Sequence, residues 1–185
     1  MKKKMLTISL IVICLSLLAF GTVAYFTTED TAVNVITASN IKIDLQESML
    51  SDSGELVPFE DQLDVMPGAK VSKIMQVANT GDQPAYIRVK LEKEICLQDS
   101  SRVDGSILQL DINTAFWTEM DGFYYYNAAL DPEETTEPLF HTVTFPTDMG
   151  NEYQNSVATI SVTAQGTQVA HNGDSALTAL GWPEE

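Results

Sequence analysis

The sequence predicts an all-β protein, a jelly-roll or immunoglobulin-like β-sandwich of about seven or eight strands that follows an N-terminal signal helix. Short runs of alternating apolar and polar residues recur along the chain, with the period of a half-buried strand. Glycine, proline, asparagine and aspartate cluster between these runs. Of the 185 residues, 44% are hydrophobic and 19% are charged, which is the composition of a globular domain.

The N-terminal residues have the organisation of a secretory signal peptide. A basic start at residues 2–4 is followed by an apolar run over residues 5–20. Small residues then precede a cleavage point that we predict between Ala24 and Tyr25. The alternative is an uncleaved membrane anchor, because the apolar stretch is nearly long enough to span a bilayer. The predicted organisation is a signal peptide at 1–24, a β-sandwich at 25–170 and a C-terminal tail at 171–185.

The chain is strongly acidic. It has 26 acidic and 10 basic residues and a net charge of −16. Signal cleavage would remove three lysines and no acid, leaving 7 basic and 26 acidic residues and a net charge of −19. Such a chain lacks the basic surface that neutralises phosphates, so we predict no nucleic-acid partner. We expect contact with a membrane only through the uncleaved signal peptide.

Residue patterns for catalysis or metal binding are missing from the sequence. His141 and His171 lie too far apart for a zinc-binding helix, and no nucleophile elbow is present. Residues 99–105 resemble a calcium loop, but Val103 stands at a ligand position. After signal cleavage Cys96 would be the one remaining thiol, and its apolar neighbours favour a small buried residue over a reactive one. We therefore predict a non-enzymatic protein with no catalytic residue, cofactor or metal.

The strands are predicted from alternation and from turn residues. One strand is expected within 31–45, and the polar residues 46–69 are expected to form a loop. Runs 71–78 and 85–92 flank an Asn-Thr-Gly-Asp turn and predict a hairpin. Further strands are expected at 107–112, 140–145 and 156–169, loops at 98–105 and 130–138, and a helical turn at 175–180 in a weakly structured tail.

An aromatic run follows the Asp121-Gly122 pair, which predicts a tight hairpin turn. In a strand, Tyr124 and Tyr126 face one side, whereas Phe123 and Tyr125 face the other. The run could form a platform on which sugars stack. We favour packing, with one of the two pairs in the core.

Short motifs occur in a fixed order over most of residues 21–170. They are Gly21-Thr22-Val23-Ala24-Tyr25-Phe26-Thr27, the stretch Val35–Leu45, Met66–Val71, Val77–Val89, Asp121–Tyr125, Leu139-Phe140 and Ile160–Gln168. Together they resemble the TasA/camelysin family of Gram-positive exported proteins, whose signal peptides suit the dedicated signal peptidase SipW. Asn40 stands where that family usually has glycine, a position at which asparagine is tolerated. Glu133-Glu134-Thr135-Thr136 replaces a more usual Pro-Gly-Glu-Thr loop.

The resemblance implies a jelly-roll-like sandwich that is secreted to the extracellular matrix or the cell surface. Some members form fibres of the biofilm matrix, in which the N-terminal strand of one subunit completes the sheet of the next. Other members are described as camelysin, a surface metalloprotease. The resemblance also implies a SipW-type signal peptidase as a processing partner.

Our hypothesis is a secreted matrix subunit that polymerises with itself or with related fibre subunits by strand donation. The predicted donor segment is 25–45, which is β-prone. Its predicted assembly residues are Val33, Val35, Ile41, Ile43 and Leu45. Three alternatives remain open: an ordinary first strand of the chain's own sandwich, a monomeric extracellular adhesin or accessory module, and a camelysin-type metalloprotease.

Overall fold

The structure is a computed structural model, and it describes residues 33–37, 41–59 and 67–183. Within 33–37 the side chain of Val35 alone is described. The predicted signal peptide, the cleavage site between Ala24 and Tyr25, and the flanking parts of the donor segment lie outside the described residues.

The regular secondary structure of the described residues is almost entirely β, which confirms the predicted fold class. Their strands are β1 Val33–Thr37, β2 Ile43–Leu50, β3 Leu56–Pro58, β4 Lys70–Asn79, β5 Ala85–Cys96, β6 Arg102–Asp104, β7 Gln109–Leu110, β8 Trp117–Met120, β9 Phe123–Tyr126, β10 Phe140–Thr144 and β11 Val157–Gln168. Two 3₁₀ turns occur, at Gly105–Ile107 and Asn151–Tyr153. The strands outnumber the predicted seven or eight because β3, β6 and β7 are only two or three residues long.

Two sheets pack face to face. Sheet A has the order β1-β11-β5-β9-β8, with β6 also pairing with β5. Sheet B has the order β3-β2-β4-β10-β7. Every pair is antiparallel except β1 with β11, which is parallel. The longest ladder joins β5 and β11 over twelve residues, from Val157 opposite Cys96 to Gln168 opposite Ala85.

The core lies between the sheets and is formed by alternate residues of the facing strands. Met75, Val77 and Phe140 are buried from sheet B, and Ile87, Val89 and Val162 from sheet A. Trp117 is also fully buried, and its indole N–H donates to the Glu137 carbonyl at 3.0 Å. A partner of this kind is what a buried indole requires.

The predicted hairpin between 71–78 and 85–92 is wrong. Both runs are strands, but β4 pairs with β2 and β10 in sheet B, whereas β5 pairs with β11, β9 and β6 in sheet A. The connection therefore crosses between the sheets. Asn79 holds it: its amide donates to the carbonyls of Gln83 and Leu130, both at 2.9 Å, and its side-chain oxygen accepts from the Gly81 N–H at 3.0 Å. Turn residues indicate that a chain reverses, but non-local pairing decides which sheet it joins.

The predicted single strand at 31–45 is two strands in different sheets, β1 and β2. The predicted loop at 46–69 is also partly wrong. β2 continues to Leu50 and pairs with β3, because its long-range partner β4 extends the ladder beyond the alternating apolar residues. Likewise, β6 and the start of a 3₁₀ turn occupy the second half of the predicted loop at 98–105, and the strand expected at 107–112 is only β7.

The other strand predictions are confirmed. The Asp121-Gly122 turn joins β8 to β9, with φ of 52° at Asp121 and 79° at Gly122. Positive φ at both central residues is typical of the tight hairpin turn that Asp-Gly favours. β10 and β11 match the runs at 140–145 and 156–169.

Gly166 of β11 allows the two sheets to approach closely. A Cβ atom at this position would lie 2.9 Å from Cγ2 of Ile41 and 3.4 Å from Cγ2 of Ile43. Both isoleucines are buried, so neither methyl group has free space to move into.

Gly166→Ala should therefore lower the free energy of unfolding by about 1–3 kcal/mol through overpacking. The control is Gln168→Ala, at the exposed end of the same strand, which should change it by less than about 0.5 kcal/mol. Chemical denaturation followed by circular dichroism measures both. Equal stability of the two variants would contradict the close packing.

Candidate functional site

The predicted assembly residues fall into two groups. Ile41, Ile43 and Leu45 are buried in the core of their own chain. Val33 and Val35 lie in β1, at the edge of sheet A, where the Val35 side chain is 40% exposed. The first group therefore anchors the chain, and the second lies where another strand can be exchanged or added.

β1 is held on one side only among the described strands. It pairs in parallel with β11 over five residues, from Val33 opposite Val162 to Thr37 opposite Gly166. β2, in contrast, lies between β3 and β4. Parallel pairs are slightly less stable per residue than antiparallel pairs, so β1 is attached by a short and comparatively weak ladder.

β11 is an unusual strand to find next to an edge. Its sequence, Val-Ala-Thr-Ile-Ser-Val-Thr-Ala-Gln-Gly-Thr-Gln, contains no charged residue and no proline. Charges and prolines are the devices with which natural sheets prevent edge pairing. The register places β1 opposite residues 162–166 of β11, less than half of the length of that strand.

The edges of sheet B carry such devices. β3 ends at Pro58, which lacks a backbone donor. Beside the two-residue β7, the Asp111 carboxylate accepts the backbone N–H groups of His141 and Thr142 at 2.9 and 2.7 Å. The Asp111 carboxylate thus occupies backbone donors of β10 where β7 has ended.

A C-terminal strap, residues 172–183, covers the outer face of sheet A. It contains no helix or strand, but Ala176 and Ala179 are buried against Tyr86 and Tyr125. The predicted helical turn is a single turn in which the Thr178 N–H donates to the Ser175 carbonyl at 3.1 Å.

An arginine joins the strap to two strands of sheet A. The guanidinium carbon of Arg88 on β5 lies 4.6 Å from the ring centroid of Trp182 and 3.9 Å from that of Phe123 on β9. Its Nε donates to Gln165 Oε1 on β11 at 2.7 Å, and its Nη1 donates to the Tyr125 hydroxyl at 3.2 Å. Stacking of this kind is favourable for the planar, weakly hydrated guanidinium.

Asn172 fixes the backbone of the strap. Its amide nitrogen donates to the carbonyls of Gln168 and Leu180 at 2.8 and 2.9 Å. Its side-chain oxygen accepts from the Leu180 N–H at 2.7 Å. The Thr167 hydroxyl also donates to the Leu180 carbonyl, at 3.2 Å. The strap is therefore tied to the end of β11.

The aromatic run packs as predicted. Tyr126 lies in the core with its ring centroid 5.1 Å from that of Trp117. Tyr124 packs partly against the same core, and burial, with a smaller contribution from the Glu119 carboxylate, raises the pKa of its phenol. Phe123 and Tyr125 face the strap. Packing therefore accounts for the run, with Tyr124 and Tyr126 as the core pair.

The loop that resembles a calcium site is held by its own hydrogen bonds. Asp99 Oδ1 accepts from the backbone N–H of Ser101 at 2.9 Å and from its hydroxyl at 2.6 Å. These bonds hold the pKa of Asp99 below its ordinary value. Among the described residues, no three His, Cys, Asp or Glu side chains are grouped so that they could hold a metal ion.

A groove opens at the end of the sandwich where β11 leaves sheet A. It has a volume of about 1060 Å³ and is lined by Ile41, Lys42, residues 80–84 and residues 168–170. It adjoins the backbone that precedes β2.

Searches of family models, curated proteins and solved structures find no match to this chain. Within 33–37, 41–59 and 67–183, no helix has the length and apolar character needed to cross a bilayer.

Asn172→Ala should release the strap from β11. Loss of its side-chain hydrogen bonds should cost about 1 kcal/mol locally, so amide exchange at Leu180 should accelerate roughly fivefold while the core amides keep their protection. Hydrogen exchange followed by mass spectrometry or NMR measures this. Asn151→Ala is the control, because the Asn151 side chain accepts a local hydrogen bond from Gln154 and lies outside the strap. Unchanged exchange at Leu180 would contradict the role of Asn172.

Proposed function

We propose that this chain is a secreted structural subunit of an extracellular matrix fibre. In the proposed fibre, β1 of one copy pairs with β11 of the next. The single observation that carries the proposal is the pairing of a five-residue edge strand with a twelve-residue strand that lacks charges and prolines.

The resemblance to the TasA/camelysin family supports the same assembly and a SipW-type peptidase as the processing partner. It also favours the matrix or surface of a Gram-positive bacterium as the location.

Exchange of β1 requires little change elsewhere in the fold. Ile41, Ile43 and Leu45 keep β2 in the core of its own copy. β1 contributes five residues to one edge, so an identical strand from a second copy can form the same main-chain hydrogen bonds. Head-to-tail donation produces a filament when the rotation between copies does not close into a ring, and the proposed fibre is the open case.

The second candidate is a monomeric extracellular adhesin or accessory module. The pairing of β1 with β11 within one chain favours it, because such a module needs no partner to complete its sheet. The two functions differ in what the free protein does at high concentration: only the fibre subunit polymerises.

Removal of β1 distinguishes the two functions. A chain that starts at Tyr25 should form filaments in negative-stain electron microscopy, whereas a chain that starts at Ile41 should remain monomeric and cooperatively folded. The truncated chain should also bind a synthetic peptide of residues 31–40, because its β11 edge is then open. A scrambled peptide of the same composition is the control. Filaments from the truncated chain, or no filaments from the longer one under any condition, would contradict the proposal.

Assembly should depend on pH and salt. A charge near −19 opposes the approach of two copies. Acidification to about pH 4.5 protonates part of the carboxylates, and raising the salt from about 0.01 to 0.15 M shortens the Debye length from about 30 to 8 Å. Both changes should lower the critical concentration for filament formation, as should divalent cations. Sedimentation at neutral and acidic pH measures this. Equal filament mass at low salt and both pH values would disprove the electrostatic account.

A further inference from the structure

We propose that the C-terminal strap, residues 172–183, forms part of the contact between subunits, and that Leu177 and Leu180 bind the second copy whose β1 pairs with β11. This inference rests on the proposed function. It adds a second surface to that assembly, formed by side chains and not by main-chain pairing.

The strap has two faces. Ala176 and Ala179 are buried against the sheet. Leu177 and Leu180 are 39% and 76% exposed, and Leu180 is the most exposed of the large apolar residues in the described part of the chain. The strap thus places small residues inward, although larger apolar ones are available one position away in the sequence. Leucine side chains that face outward are the type of residue that a protein partner can bury.

The backbone of Leu180 is held firmly even though its side chain is exposed. Its N–H donates to the Asn172 side chain, and its carbonyl accepts from Asn172 and from Thr167, which is itself buried. A side chain on a backbone ordered in advance loses less conformational freedom when it binds. The hydrogen bonds therefore present Leu180 as an anchor.

Leu180 of the strap lies beside the end of β11 that pairs with β1, although the rest of the strap packs on β5 and β9. Thr167, to which Leu180 is bonded, follows Gly166, and Gly166 is the register partner of Thr37 at the end of β1. A second copy that places its strand on β11 would therefore bring its own surface next to the strap.

Charge indicates that the partner is a second copy of this chain. Residues 157–183 contain a single acidic residue, Asp174, and no lysine or arginine, and β1 contains no charge. Residues 42–156 contain 21 of the 26 acids. The other four acids, Glu29, Asp30, Glu184 and Glu185, flank these two segments in the sequence. Contact through β1 and the strap therefore brings fewer like charges together than contact elsewhere, and each such approach costs free energy.

The test compares two double variants with the same change in charge. Leu177→Asp with Leu180→Asp alters the strap. Leu50→Asp with Leu56→Asp alters a pair that is 49% and 63% exposed on the β2–β3 hairpin of sheet B. Both are made in the chain that starts at Tyr25, and the critical concentration for filaments is measured by sedimentation. A third variant, Leu177→Ala with Leu180→Ala, separates loss of apolar area from added charge. Thermal unfolding checks that each variant folds.

The strap aspartates should raise the critical concentration at least about tenfold, which corresponds to about 1.4 kcal/mol per added subunit. The alanines should raise it less, and the hairpin aspartates should change it little. If the original chain forms filaments and the strap variants form them equally well, the inference is wrong and the proposed function stands. An equal effect of the hairpin aspartates would also overturn it. No filaments from the original chain would overturn both.

Discussion

The pairing of β11 with β5 over twelve residues is the interaction on which the rest of the structure depends. It forms the centre of sheet A and places Val89, Ala164 and their neighbours in the core. On the outer face, the same two strands carry Arg88 and Gln165, whose hydrogen bond lies beneath the strap. β1 and the strap both attach to β11, so each depends on a ladder that must form first. Most of that ladder joins residues far apart in sequence, which makes it slow to form and cooperative once formed.

The absence of charge in β11 has a physical cause and a physical consequence. The strand is covered on its inner face by sheet B and on part of its outer face by the strap, and burial of an unpaired charge is unfavourable on either side. Its composition therefore follows from packing. That composition also removes the charges that would protect an edge strand from pairing. Pairing with β1 is then required to satisfy the backbone N–H and C=O groups at this edge, whether β1 comes from the same chain or from another.

Local sequence patterns predict much of the fold. They do not predict which strands pair when the partners lie far apart in the sequence. β4, β5, β10, β11 and the Asp121-Gly122 hairpin follow from alternation and turn chemistry. The assignment of β4 and β5 to different sheets does not follow from these patterns. The partner strands of both lie far along the chain, as does Leu130, to which the Asn79 amide donates. Ile41, Ile43 and Leu45 lie in the core of their own chain, and a core strand has the same alternation as a donor strand, so alternation alone does not separate the two roles. The strap has no periodicity, and its signals are isolated residues such as Asn172 and Trp182.

In the proposed fibre, the split of the N-terminal segment into a core part and an edge part determines what controls assembly. Exchange of β1 between identical copies replaces each main-chain hydrogen bond with the same bond, so the pairing itself favours neither the monomer nor the filament. The balance then depends on terms outside the ladder. Repulsion between acidic subunits opposes the filament, and burial of apolar side chains beside the edge favours it. A chain with few apolar anchors and many carboxylates is therefore expected to polymerise only where concentration, acidity or ions reduce the repulsion.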